Sequence, residues 1–416
     1  METVKSKIRV HYFLLTILIL LAHTSMLGIV FFKGNYDTYK FPIILSTFVI
    51  LSDIVYSKII KSRKQPVYIV DYIMLFILNM TIIFQSCFGG ISFSYKQAIL
   101  SILALICMEI GCKIALNYEK LEEKKSYVYI IAGIIILSIL FLTGSRSMWI
   151  DLGFITIQPS EFLKPVYVIL CATTLTMQHR RKTLFKRFKY VPDNVVLFLL
   201  TVIIFALQWW CRDLGSLPTF MAVGFCALLT RICYPQTKFS KKSIIILGII
   251  GIIGLVCAWV FAPSYVQERL HVDIWADQSG SGYQQCKALI AIAEGGWFGK
   301  GAGYGTLHNI AAYDTDIVFS SICEEWGFFI GIMAVLSIVI LLCTTLINTP
   351  RSYYHSTLVT GVVAVFVAQM SLNIFGSCNL IPFTGVTIPF ISMGGSSMLS
   401  SGFLIGFIKA SQIYEK

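Results

Sequence analysis

Long apolar stretches recur along this chain of 416 residues, and short polar segments separate them. Each stretch is about 17 residues or longer, which lets a helix cross a hydrocarbon core of roughly 30 Å. None shows the polar alternation of a barrel strand, so helices must satisfy the backbone. The pattern predicts an all-α polytopic integral membrane protein with about twelve transmembrane helices, at residues 10–32, 41–57, 68–87, 97–116, 127–143, 163–178, 194–210, 216–232, 243–262, 322–346, 356–376 and 388–408.

The charged residues are few and unevenly placed. They make up 13% of the chain, against about 25% in soluble domains. The net charge of +12 is compatible with a nucleic-acid partner, but its distribution argues against one. With the N-terminus in the cytoplasm, 24 of the 33 Lys and Arg residues fall on the inner side, as the positive-inside rule describes. We therefore expect a multi-pass protein with both termini in the cytoplasm and no nucleic-acid partner.

One predicted outer loop, residues 263–321, is much longer than the others. Loops of this length are usually functional or disordered, and the aromatic residues and the apolar run 288–293 argue against disorder. We expect this loop to contain a short amphipathic or re-entrant helix over the bilayer surface.

Two clusters of outer polar residues lie near the middle of the chain. In residues 144–164, Glu161 and Lys164 are spaced i,i+3 near a helix start; an interfacial loop anchored by Trp149 with one local ion pair explains the same residues. In the turn formed by Arg212 and Asp213, Arg212 is an outward cation that can meet a phosphate, unless the two charges form a simple turn pair.

The other two outer clusters belong to the long loop. The Gly-rich loop, residues 295–305, has no preceding strand, so it is not a dinucleotide fingerprint. Beside Lys300 its bare backbone can approach an anion closely, or it can be a flexible linker. Asp314 and Asp316 follow at the mouth of the tenth span, with Glu324 and Glu325 in or near the same helix. Carboxylates at a membrane boundary are costly unless paired, hydrated or functional, and Asp316 is the better candidate for a perturbed base.

Intramembrane acids and metal ligands give little further guidance. Asp53 and Asp71 lie near inner helix ends, so Glu109 is expected to be the truly buried one. The Cys and His residues have no metal-ligand spacing, and no metal site is predicted.

Taken together, these clusters resemble the SEDS family (shape, elongation, division and sporulation proteins, the group of RodA, FtsW and SpoVE). The matching segments occur in family order over about residues 68–410, and the most specific are QPSEF and the last one. Departures are Asp314, where His is common, Arg212, where Pro is usual, and Met393, where Tyr is usual. The segments are WIDLGFITIQPSEFLK at 149–164, DLGS at 213–216, SGYQQCKALIAIAEGGWFGKGAGYG at 281–305, DTDIVFSSICEEWGF at 314–328 and IPFTGVTIPFISMGGSS at 381–397.

The resemblance implies a peptidoglycan glycosyltransferase that polymerises lipid II on the outer face of the bacterial cytoplasmic membrane, usually with a class B penicillin-binding protein as transpeptidase partner. Family members have ten spans, so residues 1–66 look like two additional N-terminal helices, and residues 67–416 like the ten-helix domain. Elongation, division and sporulation remain open as the cellular role.

The resemblance also implies roles for individual residues. Asp316 matches the catalytic Asp and is the expected general base of an inverting transfer. The pyrophosphate leaving group needs no proton, so one base and outward cations suffice in principle, with or without a divalent cation such as Mg²⁺ or Mn²⁺. The predicted substrate-binding residues are Arg212, Lys164, Lys300, Glu161, Trp149, Asp213, Gln284 and Ser396.

Three other functions fit a chain of this kind. A transporter predicts two similar halves and substrate groups at mid-membrane, whereas here the polar clusters lie on the outer side and the halves differ. A flippase for a lipid-linked precursor uses the same substrate but needs alternating access. A non-catalytic scaffold for a transpeptidase needs neither.

Overall fold

A computed structural model describes residues 2–36, 39–62, 68–117, 120, 123–142, 149–151, 156–176, 182–184, 188–190, 192–211, 213, 215–233, 267, 274–275, 282–347 and 352–413. Apart from two short β-hairpins, β1–β2 (Ile150–Asp151 with Thr156–Ile157) and β3–β4 (Lys182–Leu184 with Phe188–Tyr190), and a 3-10 turn at Leu307–Asn309, the regular structure of these residues is helical. The helices are α1 Glu2–Lys33, α2 Lys40–Ser62, α3 Tyr68–Leu116, α4 Lys125–Leu142, α5 Pro159–Thr176, α6 Pro192–Trp210, α7 Ser216–Cys233, α8 Tyr283–Gly295, α9 Val318–Trp326, α10 Phe328–Ile347, α11 Tyr353–Ser377 and α12 Gly395–Ile413.

The predicted all-α membrane class is confirmed. In the described part of the chain, seven helices are long and apolar enough to cross a membrane, and α3 counts once among them. The chain reverses direction at Gly90 (φ 67°, ψ −150°). α3 therefore contains both of the predicted spans 68–87 and 97–116. The hydroxyls of Ser86 and Ser94 lie 2.6 Å apart, whereas eight residues of continuous helix would separate them by about 12 Å. The predicted span 243–262 lies outside the described residues.

The start of the predicted span 322–346 is wrong. The helix breaks at Gly327, which has a φ of 91°, and the apolar span begins at Phe328. The break lets the backbone N–H of Phe328 donate to the carbonyl of Gly296 at 2.8 Å, which ties the span to the Gly-rich loop. Glu324 and Glu325 therefore belong to the separate short helix α9, outside the span.

α11 and α12 form the centre of the bundle. α11 packs against α5, α7 and α12, and α12 lies along the second half of α3. Small residues permit that close contact: a Cβ on Gly402 or Gly406 would collide with the carbonyls of Ala104 and Met108. Close backbone approach through glycine is the usual basis of tight helix pairs in membranes.

The burial predicted for the intramembrane acids is also wrong. Asp53 and Asp71 are each 1% exposed, whereas the side chain of Glu109 is 35% exposed. The reason is pairing: the Lys409 ammonium lies 2.8 Å from Asp71 and 2.7 Å from Glu109, and His23 lies 2.8 Å from Asp53. A buried charge persists when it is paired in this way.

Candidate active site

The short helix predicted in the long outer loop is present as α8. Gln285 in its first turn donates to the carbonyl of Gly376 at 2.9 Å, which fixes α8 to the end of α11. One face of α8 packs on the turn that follows the Gly-rich loop, and the residues of this small apolar cluster are Ala288, Ala291, Leu307, Ile310 and Ile317. α8 is thus a platform for the residues that lead into α9.

Those residues form a tight turn, the Asp316 turn (residues 312–317). The backbone N–H groups of residues 315, 316 and 317 all donate to the carbonyl of Ala312, at 3.2, 2.9 and 3.2 Å. Ala312 has a φ of 59°, which lets the chain close on itself. Gln284 of α8 donates to the carbonyl of Ala311 at 3.1 Å. The structure therefore places Gln284 as a support of this turn, and its predicted contact with substrate stays a prediction.

A distant segment, residues 381–397, holds the Asp316 turn from the other side. Ser392 donates its hydroxyl to the carbonyl of Thr315 at 2.6 Å, and the N–H of Met393 donates to the carbonyl of Asp314 at 2.9 Å. Ser392 and Met393 make these bonds from a segment that is not helical. Helix α12 begins after it, at Gly395, so the predicted start of the span 388–408 is wrong.

The Asp316 carboxylate faces this same segment. A Cβ on Gly385 would lie 3.0 Å from its Oδ2, and a Cβ on Gly215 would collide with the side chain of Val386. Asn373 of α11 links the two sides, because its amide donates to the carbonyls of Asp316 at 2.7 Å and Val386 at 2.6 Å. Sequence reasoning missed Asn373, since an amide inside an apolar helix carries no motif.

Asp213 and Ser396 meet through Gln158, the residue before α5. Gln158 donates its side-chain amide to Asp213 Oδ2 and its backbone N–H to Ser396 Oγ, each at 3.4 Å. Asp213 also caps α7 by accepting from the N–H of Ser216 at 3.0 Å. Three separate segments of the sequence thus converge beside the Asp316 turn. The predicted Arg212 lies outside the described residues.

Glu161 and Lys164 form a buried ion pair, with 5% and 2% of their surfaces exposed and a separation of 2.5 Å. Ser400 of α12 donates to the carbonyl of Glu161 at 2.7 Å, so the pair joins α5 to α12. The local ion pair considered from the sequence is therefore present. Trp149 stands half exposed beside the β1–β2 hairpin. Contacts of all three residues with substrate stay predictions.

The Gly-rich loop and the two residues after it bind the side-chain carboxyl groups of Glu324 and Glu325. Glu324 accepts from the backbone N–H groups of Thr306 at 2.9 Å and Leu307 at 3.1 Å, and from the Lys300 ammonium at 2.9 Å. Lys300 also pairs with Glu294. The structure thus gives Lys300 two carboxylate partners, and its predicted contact with pyrophosphate stays a prediction.

Glu325 accepts from the N–H of Gly303 at 2.8 Å. Burial raises the pKa of Glu325 to about 8, and the neighbouring Glu324 adds to that effect. Burial also opposes ionisation of Glu324, but hydrogen bonds from Thr306 and Lys300 outweigh it and lower the pKa of that carboxyl. At neutral pH one Glu of the pair is therefore ionised and the other mainly protonated.

Asp316 has the properties of a proton acceptor. Burial raises its pKa from 3.8 to about 6; Asp314 adds to the rise and a hydrogen bond from Thr315 opposes it. Near pH 7 the side chain is mostly a carboxylate, and it is more basic than an ordinary Asp. Among the described residues, no three His, Cys, Asp or Glu side chains group closely enough to hold a metal ion. The participation of a divalent cation, which the sequence left open, stays untested.

Comparison with known proteins points to one family. The sequence model of a family described as Cell cycle protein (FtsW, RodA and SpoVE) matches residues 64–416. Stage V sporulation protein E of Bacillus subtilis is 33% identical over 262 residues, which are 61% of this chain and 68% of that protein. A probable peptidoglycan glycosyltransferase FtsW of Alcanivorax borkumensis is 30% identical over 304 residues, which are 69% of this chain and 76% of that protein.

Solved structures share the fold. A chain from a peptidoglycan synthase complex, described for its coordination of polymerization and crosslinking, superposes with a TM-score of 0.63 at 19% identity. The rod shape determining protein RodA of Thermus thermophilus superposes with a TM-score of 0.57 at 17% identity. Each match covers 84% of this chain and 98% of the other. At such identities the likeness concerns the fold alone.

Proposed function

The chain belongs to the FtsW/RodA/SpoVE family of cell cycle proteins, and we propose that it is a peptidoglycan glycosyltransferase that polymerises lipid II into glycan strands. One observation supports this above the others. The Asp316 carboxylate, with its raised pKa, lies against Gly385 in the 381–397 segment, beside the turn that contains Asp213 and Gly215. A basic carboxylate among polar segments at the end of a helical bundle suits a lipid-linked sugar whose tail stays in the bilayer.

In the proposed reaction, Asp316 accepts the proton of the attacking 4-hydroxyl while that oxygen bonds to the anomeric carbon of the second lipid-linked disaccharide. The bond from that carbon to the pyrophosphate oxygen breaks on the opposite side, so the configuration inverts. The pyrophosphate leaves as an anion and takes no proton. Nearby cations stabilise the charge that develops on it.

We further propose that the site faces the outside of the bacterial cytoplasmic membrane, with both termini in the cytoplasm. The excess of Lys and Arg on the predicted inner segments supports this orientation. The partner we propose is a class B penicillin-binding protein, since a structural relative belongs to a complex that couples polymerization to crosslinking. Co-purification from native membranes should recover a species that labels with fluorescent penicillin, and loss of that species from every preparation would contradict the pairing.

The decisive experiment uses the purified full chain, alone and with its partner, and lipid II in detergent. Glycan strands separated by gel electrophoresis are the expected product, and parallel reactions with EDTA, Mg²⁺ or Mn²⁺ measure the metal requirement. Absence of strands, together with transfer of labelled lipid II from one leaflet of a vesicle membrane to the other, would indicate a flippase. Absence of both activities, with stimulation of the partner's crosslinking, would make it a scaffold.

A further inference from the structure

The α1–α2 hairpin is attached to the rest of the bundle by a buried polar network. Nδ1 of His23 lies 2.8 Å from Oδ2 of Asp53, and Asn79 of α3 donates to Oδ1 of Asp53 at 2.8 Å. Nε2 of His23 lies 3.2 Å from the carbonyl of Phe76, also in α3. The three side chains are at most 3% exposed. Because unpaired polar groups are costly inside a membrane, the network favours one register of the hairpin on α3.

The turn of this hairpin reaches the Gly-rich loop. The N–H of Asn35 donates to the carbonyl of Ala302 at 3.0 Å, and the Tyr36 hydroxyl lies 3.3 Å from the place that a Cβ on Gly303 would take. The Tyr36 ring is itself held by Phe41 of α2, with ring centroids 4.6 Å apart. The hairpin therefore touches the loop through backbone and side chain.

From the loop, and from Thr306 directly after it, contacts lead to the Asp316 turn. Gly303 binds Glu325 and Thr306 binds Glu324 through their backbone N–H groups. Both carboxylates belong to α9, whose first residue follows Asp316 by two positions. A glycine-rich loop loses much conformational freedom when it is ordered, so a second element that holds it favours the ordered state.

We propose that the α1–α2 hairpin, which precedes the family match at residue 64, is an intramolecular clamp. Through Asn35 and Tyr36 it holds the Gly-rich loop, and through that loop it holds α9 and the Asp316 turn in the arrangement used for polymerisation. Asn35 and Tyr36 are positioning residues that act through the loop. The proposal rests on the proposed function for its effect on turnover, and on contacts alone for its geometry.

The geometry can be tested without any activity. Cβ of Asn35 lies 3.7 Å from the place that a Cβ on Gly303 would take, and disulfides join Cβ atoms about 3.5–4.5 Å apart. The variant Asn35→Cys with Gly303→Cys should form an internal disulfide on mild oxidation, seen as a linked peptide pair by mass spectrometry. The single variants Asn35→Cys and Gly303→Cys keep the twelve native cysteines and are the controls. Gly303 has a φ of 76°, which strains any side chain there, and the Gly303→Cys variant measures the loss of unfolding temperature that this strain causes. A folded double variant that stays reduced would overturn the clamp.

The effect on turnover is tested at Tyr36. Tyr36→Ala should lower kcat about tenfold with KM for lipid II unchanged within about twofold, because the arrangement of the Asp316 turn used in the transition state becomes less populated while lipid II still binds. Tyr36→Phe keeps the ring that packs on Phe41 and should stay near the wild-type rate. Oxidation of the Cys pair in the Tyr36→Ala background should restore kcat, and reductant should reverse the gain.

Unchanged kcat in Tyr36→Ala, or a loss that the disulfide does not repair, would refute the clamp. A wild-type chain that makes no glycan strands while the disulfide forms as expected would instead refute the proposed function and leave the geometry standing.

Discussion

Replacement of Asp316 by Asn is the sharpest test of the proposed base. The substitution leaves the backbone of the turn intact, including the Asp316 carbonyl that accepts from Asn373 and the N–H that donates to Ala312. Asn keeps the size of the side chain and one acceptor oxygen, but it cannot take the proton of the attacking hydroxyl. We expect normal lipid II binding and a fall in polymerisation rate of about 10²–10⁴-fold, which corresponds to roughly 3–5 kcal/mol in the barrier.

The same variant should be at least as stable as the wild type, although its polymerisation rate falls. Burial raises the pKa of Asp316 from 3.8 to about 6, so the folded chain binds this proton more tightly than the unfolded chain does. The stability linked to the proton is complete below about pH 4 and is lost as the pH rises through about 6. The full shift corresponds to about 3 kcal/mol, and partial solvation of the carboxylate reduces it. Asn carries no charge, so the variant should unfold at an equal or higher temperature at about pH 7.5.

The assay therefore measures glycan strands, lipid II binding and thermal unfolding on the same preparations. Asp314→Asn is the matched control, and we expect a milder loss of rate. Near-normal polymerisation by Asp316→Asn would transfer the role of base to Asp314 or Glu325. Normal polymerisation by Asp316→Asn, Asp314→Asn and a Glu325→Gln variant alike would mean that none of these three carboxylates is the base.

The remaining predictions concern pH, topology and packing. The rate should rise through about pH 6 as Asp316 loses its proton; a flat profile would contradict its role. A single Cys replacing His308 should react with an impermeant reagent on whole cells and one replacing Lys182 should not; the reverse pattern would refute the proposed orientation. Lys409→Met should lower the free energy of unfolding by about 3–5 kcal/mol, and adding Asp71→Asn should recover part of the loss. An unchanged unfolding temperature in Lys409→Met would mean that the buried Lys409–Asp71 pair does not stabilise the fold.

The apolar pattern predicted the helices well where a span runs between two polar loops. α6 and α7 match the predicted spans 194–210 and 216–232 within two residues at each end. The breaks before Phe328 and Gly395 were not predicted, because hydropathy averaged over a whole span does not show where one helix ends and the next begins. They arise from hydrogen bonds to remote segments, such as that from Phe328 to Gly296.

The sequence predicted the candidate base of the site but not the residues that hydrogen-bond to it or neutralise buried charges nearby. Asp316 stands out because a carboxylate at a membrane boundary is expensive. Asn373 and Lys409 do not stand out, although each is bonded to residues far away in the chain. Sequence places a charge near a membrane, but the group that neutralises it is chosen by packing.

The carboxylate partners found in the structure affect which predicted cation can bind the pyrophosphate leaving group. Lys164 is buried against Glu161, and Lys300 is held by Glu294 and Glu324. Carboxylates paired with an ammonium partly neutralise it, which weakens its attraction for a pyrophosphate. Replacing the Lys also leaves a buried Glu without its counter-charge. Replacing either Lys therefore tests stability as much as binding, and the prediction of a pyrophosphate contact depends most on Arg212.

Arg212 precedes Asp213, whose carboxylate caps α7 by accepting from Ser216 and also accepts from Gln158. The sequence makes Arg212 the cation that we expect to serve the substrate, since the planar fork of a guanidinium suits phosphate oxygens. Arg212→Ala should reduce turnover about tenfold or more at low lipid II with an unchanged unfolding temperature, because a charge-assisted contact contributes about 1.5–3 kcal/mol. Arg212→Lys should recover part of the loss, since it keeps the charge without the fork. Normal turnover of Arg212→Ala at low lipid II would mean that the charge of the leaving group is met elsewhere.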